Sequence, residues 1–228
     1  MSGPLAQARK PTRIRRAPRA GTGTGESASP DVFDSISLDV HDTLSCAIQA
    51  DDSAMTMPSP LRIEAIPGYS PTIGRLVGML NYTRSTTLAA VEGLTMAQLD
   101  HLHDEESNSI GALLAHVTVV ERSYQVLTFE ERPLSPQEND LWSTALKLGA
   151  TGRRMLRGRP LEHYLEELTA VRERTLNGLA ARDDAWLERA VSPAPKINAH
   201  WAWFHVAEDE INHRGQIRWL RSRLPTGS

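Results

Sequence analysis

The sequence contains few of the features that identify secreted, membrane-spanning or nucleic-acid-binding proteins. Cys46 is its single cysteine, so no disulfide bond can form within the chain, which fits a reducing compartment. No apolar run approaches the roughly 18 residues of a transmembrane helix, and the apolar segment of a secretory signal is missing. The 25 Lys and Arg residues are balanced by 28 Asp and Glu, without the basic excess of nucleic-acid-binding domains. We therefore expect a cytoplasmic protein that binds neither nucleic acid nor membrane.

Residues 1–57 differ in composition from the rest of the chain and are predicted to form a disordered extension. The first 25 residues carry six basic side chains and no acidic one, and an acidic stretch follows between residues 31 and 52. Ser, Thr, Gly and Pro fill the gaps, so little apolar surface is available to offset the loss of chain entropy on folding. Three interpretations remain open: an organelle transit peptide, a basic arm for an acidic partner, or a dispensable extension ahead of a start at Met55 or Met57. We favour the third.

Residues 58–228 are predicted to form one all-α domain, a four-helix bundle. After each start signal, apolar residues repeat at helical spacing, and no alternating strand pattern is convincing. A short helix is expected after Thr95, and an irregular segment between residues 135 and 149. Four long helices with connecting segments indicate an antiparallel-type bundle, although aromatic residues make up only 5% of the chain. The long helices are predicted to begin at Ser70–Pro71, Ser109, Pro160 and about Ala199.

The last predicted helix carries two polar side chains where a bundle helix should be apolar. Asp209 and His213 fall within its predicted inward stripe, and burial of an unpaired carboxylate costs several kcal/mol or more. Two explanations remain open from this helix alone. One is a buried Asp–His ion pair at i,i+4, and the other is a metal site, because this spacing directs both side chains toward one point. The apolar members of the stripe are Ala202, Val206, Ile217, Leu220 and Leu224.

Two motifs extend the metal interpretation to a second helix. The string "SNSIGALLAHVTVVERSYQ" and, some 90 residues later, "HVAEDEINHRGQIRWL" resemble the DinB/YfiT-like superfamily over roughly residues 73–224. That resemblance implies a four-helix bundle with a divalent metal ion held by one histidine of the second long helix and an i,i+4 pair of the last. Residue by residue, the implied ligands are His116, Asp209 and His213. By pattern alone, His116 is an ordinary, partly buried histidine.

The sequence departs from the superfamily pattern at one ligand position. Histidine is common where this chain has Asp209, although a related branch that includes mycothiol-dependent maleylpyruvate isomerase has glutamate there. Two histidines and a carboxylate bind zinc, nickel or iron well, and three protein ligands leave coordination positions open, as in catalytic sites. We therefore expect a His–Asp–His site for zinc, nickel or iron.

The resemblance also implies chemistry on a low-molecular-weight thiol. Characterised relatives transfer or isomerise with mycothiol, bacillithiol or a similar thiol, whose pKa a metal ion lowers. The implied partners are that thiol and a small-molecule electrophile, and no protein cysteine is required. A thiol S-transferase and an isomerase cannot be separated from the sequence. The alternative is a non-catalytic, metal-binding stress-response bundle. Relatives are often homodimers, so the resemblance leaves both a homodimer and a monomer open.

Several residues near the three ligands are candidates for a supporting or pocket role. His205 and Gln216 lie at the edge of the stripe and can line a pocket, but for His205 we favour the interpretation as a core or ligand-supporting histidine. Glu121 can support a ligand histidine through a hydrogen bond, or pair with an arginine for structural reasons. Tyr124 is interpreted as core, and Glu210 is placed on an outer face.

Overall fold

Local start signals in the sequence coincide with helix N-termini in the computed structural model, which describes residues 62–191 and 196–225. Thr95, Ser109 and Asn198 each accept a hydrogen bond from a backbone N–H of the first turn. The predicted extension over residues 1–57 lies outside the described residues. The α-helices of the described residues are α1 (Pro71–Val91), α2 (Met96–Leu99), α3 (Ile110–Phe129), α4 (Pro136–Lys147), α5 (Gly149–Met155), α6 (Leu161–Ala180) and α7 (Ala199–Arg221), and a 3-10 helix spans Asp184–Glu188.

The four long helices α1, α3, α6 and α7 pack into a ring. The most extensive contacts join α7 to α1 and to α3, and α3 to α6, while α1 and α6 close the ring. The shorter α4 packs on α3 outside it. The predicted all-α four-helix bundle is therefore confirmed, and none of the helices in the described ranges is long and apolar enough to cross a bilayer.

The start of α1 is capped from a distant part of the chain rather than by its own serine. Ser70 occupies the N-cap position, but its hydroxyl donates to Asp184 Oδ1. The Asp184 carboxylate accepts the backbone N–H groups of Thr72 and Ile73 at 3.0 and 3.1 Å. These hydrogen bonds, led by the one from Ser70, outweigh partial burial and lower the pKa of Asp184 to about 2. The 3-10 helix therefore ties α1 to the chain that leads into α7.

Two apolar clusters, one toward each end of the bundle, form the core between the four long helices, and a third, smaller cluster lies between α3 and α4. All four long helices contribute to both clusters, so each helix crosses from one to the other. The first cluster includes Val91, Leu114, Leu168 and Ile217. The second cluster includes Leu80, Leu179, Trp203 and Val206 with the partly buried Tyr124.

A buried Arg–Glu layer, made of Arg84, Glu121, Arg172 and Glu210, lies between these clusters along every long helix. Each helix supplies one residue, in the order α1, α3, α6 and α7. Arg84 contacts Glu121 and Glu210 at 2.8 Å, and Arg172 contacts the same glutamates at 2.8 and 3.1 Å. Two positive and two negative charges cancel, so the layer satisfies charges that would be costly if buried singly. Burial raises the pKa of Glu121, but the two guanidinium groups outweigh it and lower that pKa.

Candidate metal centre

The side chains of His116, Asp209 and His213 converge at the contact between α3 and α7. Asp209 Oδ1 lies 3.5 Å from Nε2 of His116 and 3.5 Å from Nε2 of His213. The three candidate ligand atoms all lie within 4.8 Å of one another, and the two imidazole rings are 4.6 Å apart. Each side chain is 12–15% exposed, so the cluster sits at the edge of the core with access from solvent.

These separations fit a metal ion better than a hydrogen-bonded triad. A distance of 3.5 Å exceeds an ordinary N–H···O hydrogen bond. Ligands at about 2.1 Å from a tetrahedral zinc ion are separated by about 3.4 Å, close to both histidine–aspartate distances. Two imidazole nitrogens and one carboxylate oxygen form a donor set that zinc, iron and nickel accept. The donor set therefore fits a divalent ion with at least one position left open.

The electrostatics of the cluster keep the carboxylate ionised. Burial raises the pKa of the Asp209 carboxyl, but the neighbouring His116 and His213 outweigh burial and lower it below the ordinary range. Burial lowers the pKa of His213, whereas Asp209 raises it by more, so that the net shift is upward. Asp209 therefore supplies the cluster with the negative charge that a bound cation requires.

The second nitrogen of each histidine is hydrogen-bonded away from the cluster. His116 Nδ1 lies 2.8 Å from the backbone oxygen of Ala145 in α4. His213 Nδ1 lies 3.1 Å from Oε1 of Gln216, one turn further along α7. Because both partners are acceptors, each Nδ1 carries the hydrogen and each Nε2 keeps its lone pair for the cluster. Gln216, which the sequence predicts only as a residue that lines a pocket, contacts His213 in the structure, and the Ala145 carbonyl is a partner that no sequence pattern indicates.

Two other predicted residues lie in different surroundings. Glu121 contacts Arg84 and Arg172 and makes no contact with a candidate ligand. Of its two interpretations, the structure therefore favours the ion pair with arginine over a hydrogen bond to a ligand histidine. His205 is about one-third exposed and its ring stacks on Trp201 at 4.9 Å. Its Nδ1 lies 3.2 Å from Oε2 of Glu208. A pocket role for His205 stays a prediction.

The placement of Glu210 on an outer face is wrong. Glu210 is fully buried and contacts Arg84 and Arg172. The buried face of α7 includes Trp203 and Ala207 as well as the predicted stripe. The centre of that face therefore lies closer to Glu210 than the predicted stripe indicates. Asp209 therefore lies at the margin of the buried face, where a ligand can meet both a histidine of α3 and solvent.

Tyr124 is a neighbour of the cluster that the sequence assigned only to the core. Its ring meets the ring of His205 edge-on at 5.8 Å, and it is only half-buried. Burial, with a smaller contribution from the negative charge of Asp209, raises the pKa of Tyr124 to about 12. The phenol therefore stays protonated near neutral pH and can donate a hydrogen bond beside the centre. Its spacing of eight residues from His116 places both on one side of α3, and this is the sequence signal that could have found it.

Comparison with known families agrees with the helical fold of the chain. Residues 75–225, about two thirds of the chain, match the family model described as Mycothiol-S-transferase. The chain belongs to the mycothiol S-transferase family. This family is a member of the DinB-like superfamily, so the resemblance seen in the two motifs is confirmed. A comparison with curated proteins finds no match. The matched residues include both helices that carry the cluster.

Proposed function

We propose that this member of the mycothiol S-transferase family binds one divalent ion, zinc, nickel or iron, through His116, Asp209 and His213. We further propose that it joins the sulfur of mycothiol or a similar thiol to a small electrophile. The observation that carries the proposal is the convergence of two Nε2 atoms and one carboxylate oxygen at 3.5 Å spacing within a chain of this family. When bound, the ion would supply the positive charge that lowers the pKa of a thiol.

The side chains of the centre would each contribute a separate part of this reaction. Asp209 provides the negative charge that retains a cation, and the acceptors at both Nδ1 atoms direct the imidazoles toward it. Tyr124, protonated near neutral pH, can donate a hydrogen bond to an electronegative atom of the electrophile. In the transfer step the thiol loses its proton to solvent and its sulfur forms a bond to the electrophilic carbon. The bond from that carbon to its leaving group breaks with both electrons, so that an aryl halide releases halide ion to solvent. No cysteine of the chain takes part.

The experiment is a thiol-consumption assay with metal-free protein and with protein reconstituted anaerobically with zinc, nickel or iron. Mycothiol, bacillithiol and glutathione are each supplied with a chromogenic aryl halide as the electrophile. We expect metal-dependent consumption that is greatest with mycothiol and absent in His213→Ala. His163→Ala is the matched control, since His163 lies on α6 and contacts only Arg159 and Tyr164 among the polar and aromatic partners described.

A different outcome would favour the alternative of a non-catalytic metal-binding bundle. If the chain binds one ion per molecule but consumes none of the three thiols, the ion serves the fold rather than a reaction. An isomerase that uses the same thiol would show binding of mycothiol without net consumption. Thiol affinity, measured beside the assay, therefore separates these two results.

A further inference from the structure

The helical chain breaks between α4 and α5 next to the candidate metal centre. α4 ends at Lys147 because Leu148 adopts φ 51° and ψ −139°, a conformation that residues other than glycine rarely adopt. The side chain of Leu148 packs against the first core cluster. That packing holds the residue in its unusual conformation, so the break is a fixed feature of the fold.

The break redirects two backbone groups that would pair in a continuous helix. In such a helix, the N–H of Gly149 would donate to the oxygen of Ala145, four residues earlier. Here the Gly149 N–H donates to Asn108 Oδ1 at 3.2 Å. The Ala145 oxygen lies 2.8 Å from His116 Nδ1. The Ala145 oxygen, which would accept the Gly149 N–H in a continuous helix, is hydrogen-bonded to His116 instead. The side chain of Asn108 accepts the Gly149 N–H in its place.

Asn108 is suited to this role by its place in the chain. It directly precedes Ser109, the N-cap of α3, and is half-buried. One side chain thus connects the start of α3, the helix that carries His116, to the start of α5. Loss of the Asn108 acceptor would leave the Gly149 N–H free to return to Ala145 and would let the α4–α5 junction move relative to α3.

We propose that Asn108 is a positioning residue that keeps the Ala145 carbonyl directed at His116. His116 is thereby held with its hydrogen on Nδ1 and its Nε2 lone pair available for a metal ion. The consequence for metal affinity rests on the proposed function, whereas the effect on the His116 ring applies to the metal-free protein and stands separately.

The test compares two substitutions of Asn108 in the full-length chain. Asn108→Leu is similar in size but has no acceptor, and Asn108→Asp keeps an oxygen within the same reach. The first measurement is zinc affinity by competition with a chromophoric chelator. The second is the ¹⁵N chemical shifts of the His116 ring in metal-free protein, at a pH where the ring is neutral. We expect Asn108→Leu to weaken zinc binding roughly tenfold and to increase the Nε2–H form, and Asn108→Asp to resemble the unaltered chain.

Ser135→Ala is the control for general loss of stability. Ser135 caps the opposite end of α4 and accepts the N–H of Glu138 at 3.2 Å, so its removal weakens α4 without touching the junction. Unchanged zinc affinity and His116 shifts in Asn108→Leu would overturn the proposal, as would an equal effect of Ser135→Ala. If Asn108→Leu does not fold, Asn108→Ser, too short to reach Gly149, replaces it. If the unaltered chain binds no zinc, the proposed function fails, and the His116 shifts alone decide the role of Asn108.

Discussion

The two nitrogens of each histidine in the candidate centre have different surroundings. Nδ1 of His116 and of His213 faces an acceptor, whereas both Nε2 atoms face Asp209. A backbone carbonyl and a glutamine oxygen cannot donate, so they fix the tautomer that presents a lone pair to the cluster. Asp209, the residue that departs from the common superfamily pattern, is therefore the charged member of an otherwise neutral ligand set.

Zinc affinity is predicted to fall with decreasing pH, because a proton on His213 competes with the ion. Asp209 raises the pKa of His213 above its ordinary value of 6.5, so the fall begins at a higher pH than an exposed histidine would give. One displaced proton weakens binding about tenfold per pH unit below that pKa. Chelator competition between about pH 8 and about pH 5 measures the slope. Affinity that does not change over this range would contradict the account.

At the scale of helices, the two glycines Gly178 and Gly215 differ in whether a neighbouring helix packs against them. In α6, a Cβ on Gly178 would meet ring carbons of Phe129 at under 3.0 Å, and that ring is stacked on Trp203 at 4.9 Å. In α7, a Cβ on Gly215 would meet nothing within 4 Å. The first glycine is required by packing between helices, whereas the second only weakens its own helix.

The two glycines predict opposite effects of alanine on stability. Gly178→Ala should lower the free energy of unfolding by about 1–3 kcal/mol, because the Phe129 ring must move within a packed aromatic group. Gly215→Ala should raise it by about 0.5–1 kcal/mol through helix propensity. Urea denaturation of both variants measures the difference. The same sign of change in both variants would show that the helix contact near Phe129 is not tight.

The cap on α1 predicts sensitivity to acid. The pKa of Asp184 is lowered from 3.8 to about 2, so its contribution to stability is fully present above about pH 4 and is lost as the pH falls through about 2. Asp184→Asn should therefore lower the Tm at neutral pH, and the difference from the unaltered chain should shrink across this window. Thermal unfolding as a function of pH measures it. A difference that stays constant down to about pH 2 would assign the effect to packing instead of charge.

At the scale of the whole molecule, the buried Arg–Glu layer fixes how the four long helices lie against one another. Glu210 follows Asp209 directly in α7, and Glu121 lies five residues after His116 in α3. The layer therefore sets the rotation and register of the two helices that carry the candidate ligands. Apolar clusters on both sides of the layer exclude water from it, which strengthens its ion pairs and makes an unpaired member costly.

Glu210→Gln should be strongly destabilising, because two guanidinium groups would then share one carboxylate in a buried layer. The expected loss is about 3–5 kcal/mol in the free energy of unfolding. Glu173→Gln, at an exposed position of α6 next to Arg172, is the matched control and should change stability by less than about 0.5 kcal/mol. Equal unfolding midpoints in urea for the two variants would contradict a structural role for the layer.

The sequence predicts the parts of this structure that depend on local signals. Helix starts follow from cap residues such as Ser109, and the pair Asp209 and His213 stands out because both interrupt an apolar stripe. The burial of Glu210 was missed because its partners come from α1 and α6, and nothing within α7 indicates them. The Ala145 carbonyl was missed for a similar reason, since any residue type provides one. Contacts between helices, which set these features, have no local pattern.

The most direct test of the account is the metal content of the chain, purified without a histidine tag and reconstituted anaerobically with zinc. Elemental analysis of the unaltered chain and of His163→Ala should give one ion per chain. His213→Ala, which removes one of the three converging ligand atoms, should give substantially less than one. An unaltered chain that retains no zinc, or a His213→Ala variant that retains one ion per chain, would contradict the metal centre on which the proposed function depends.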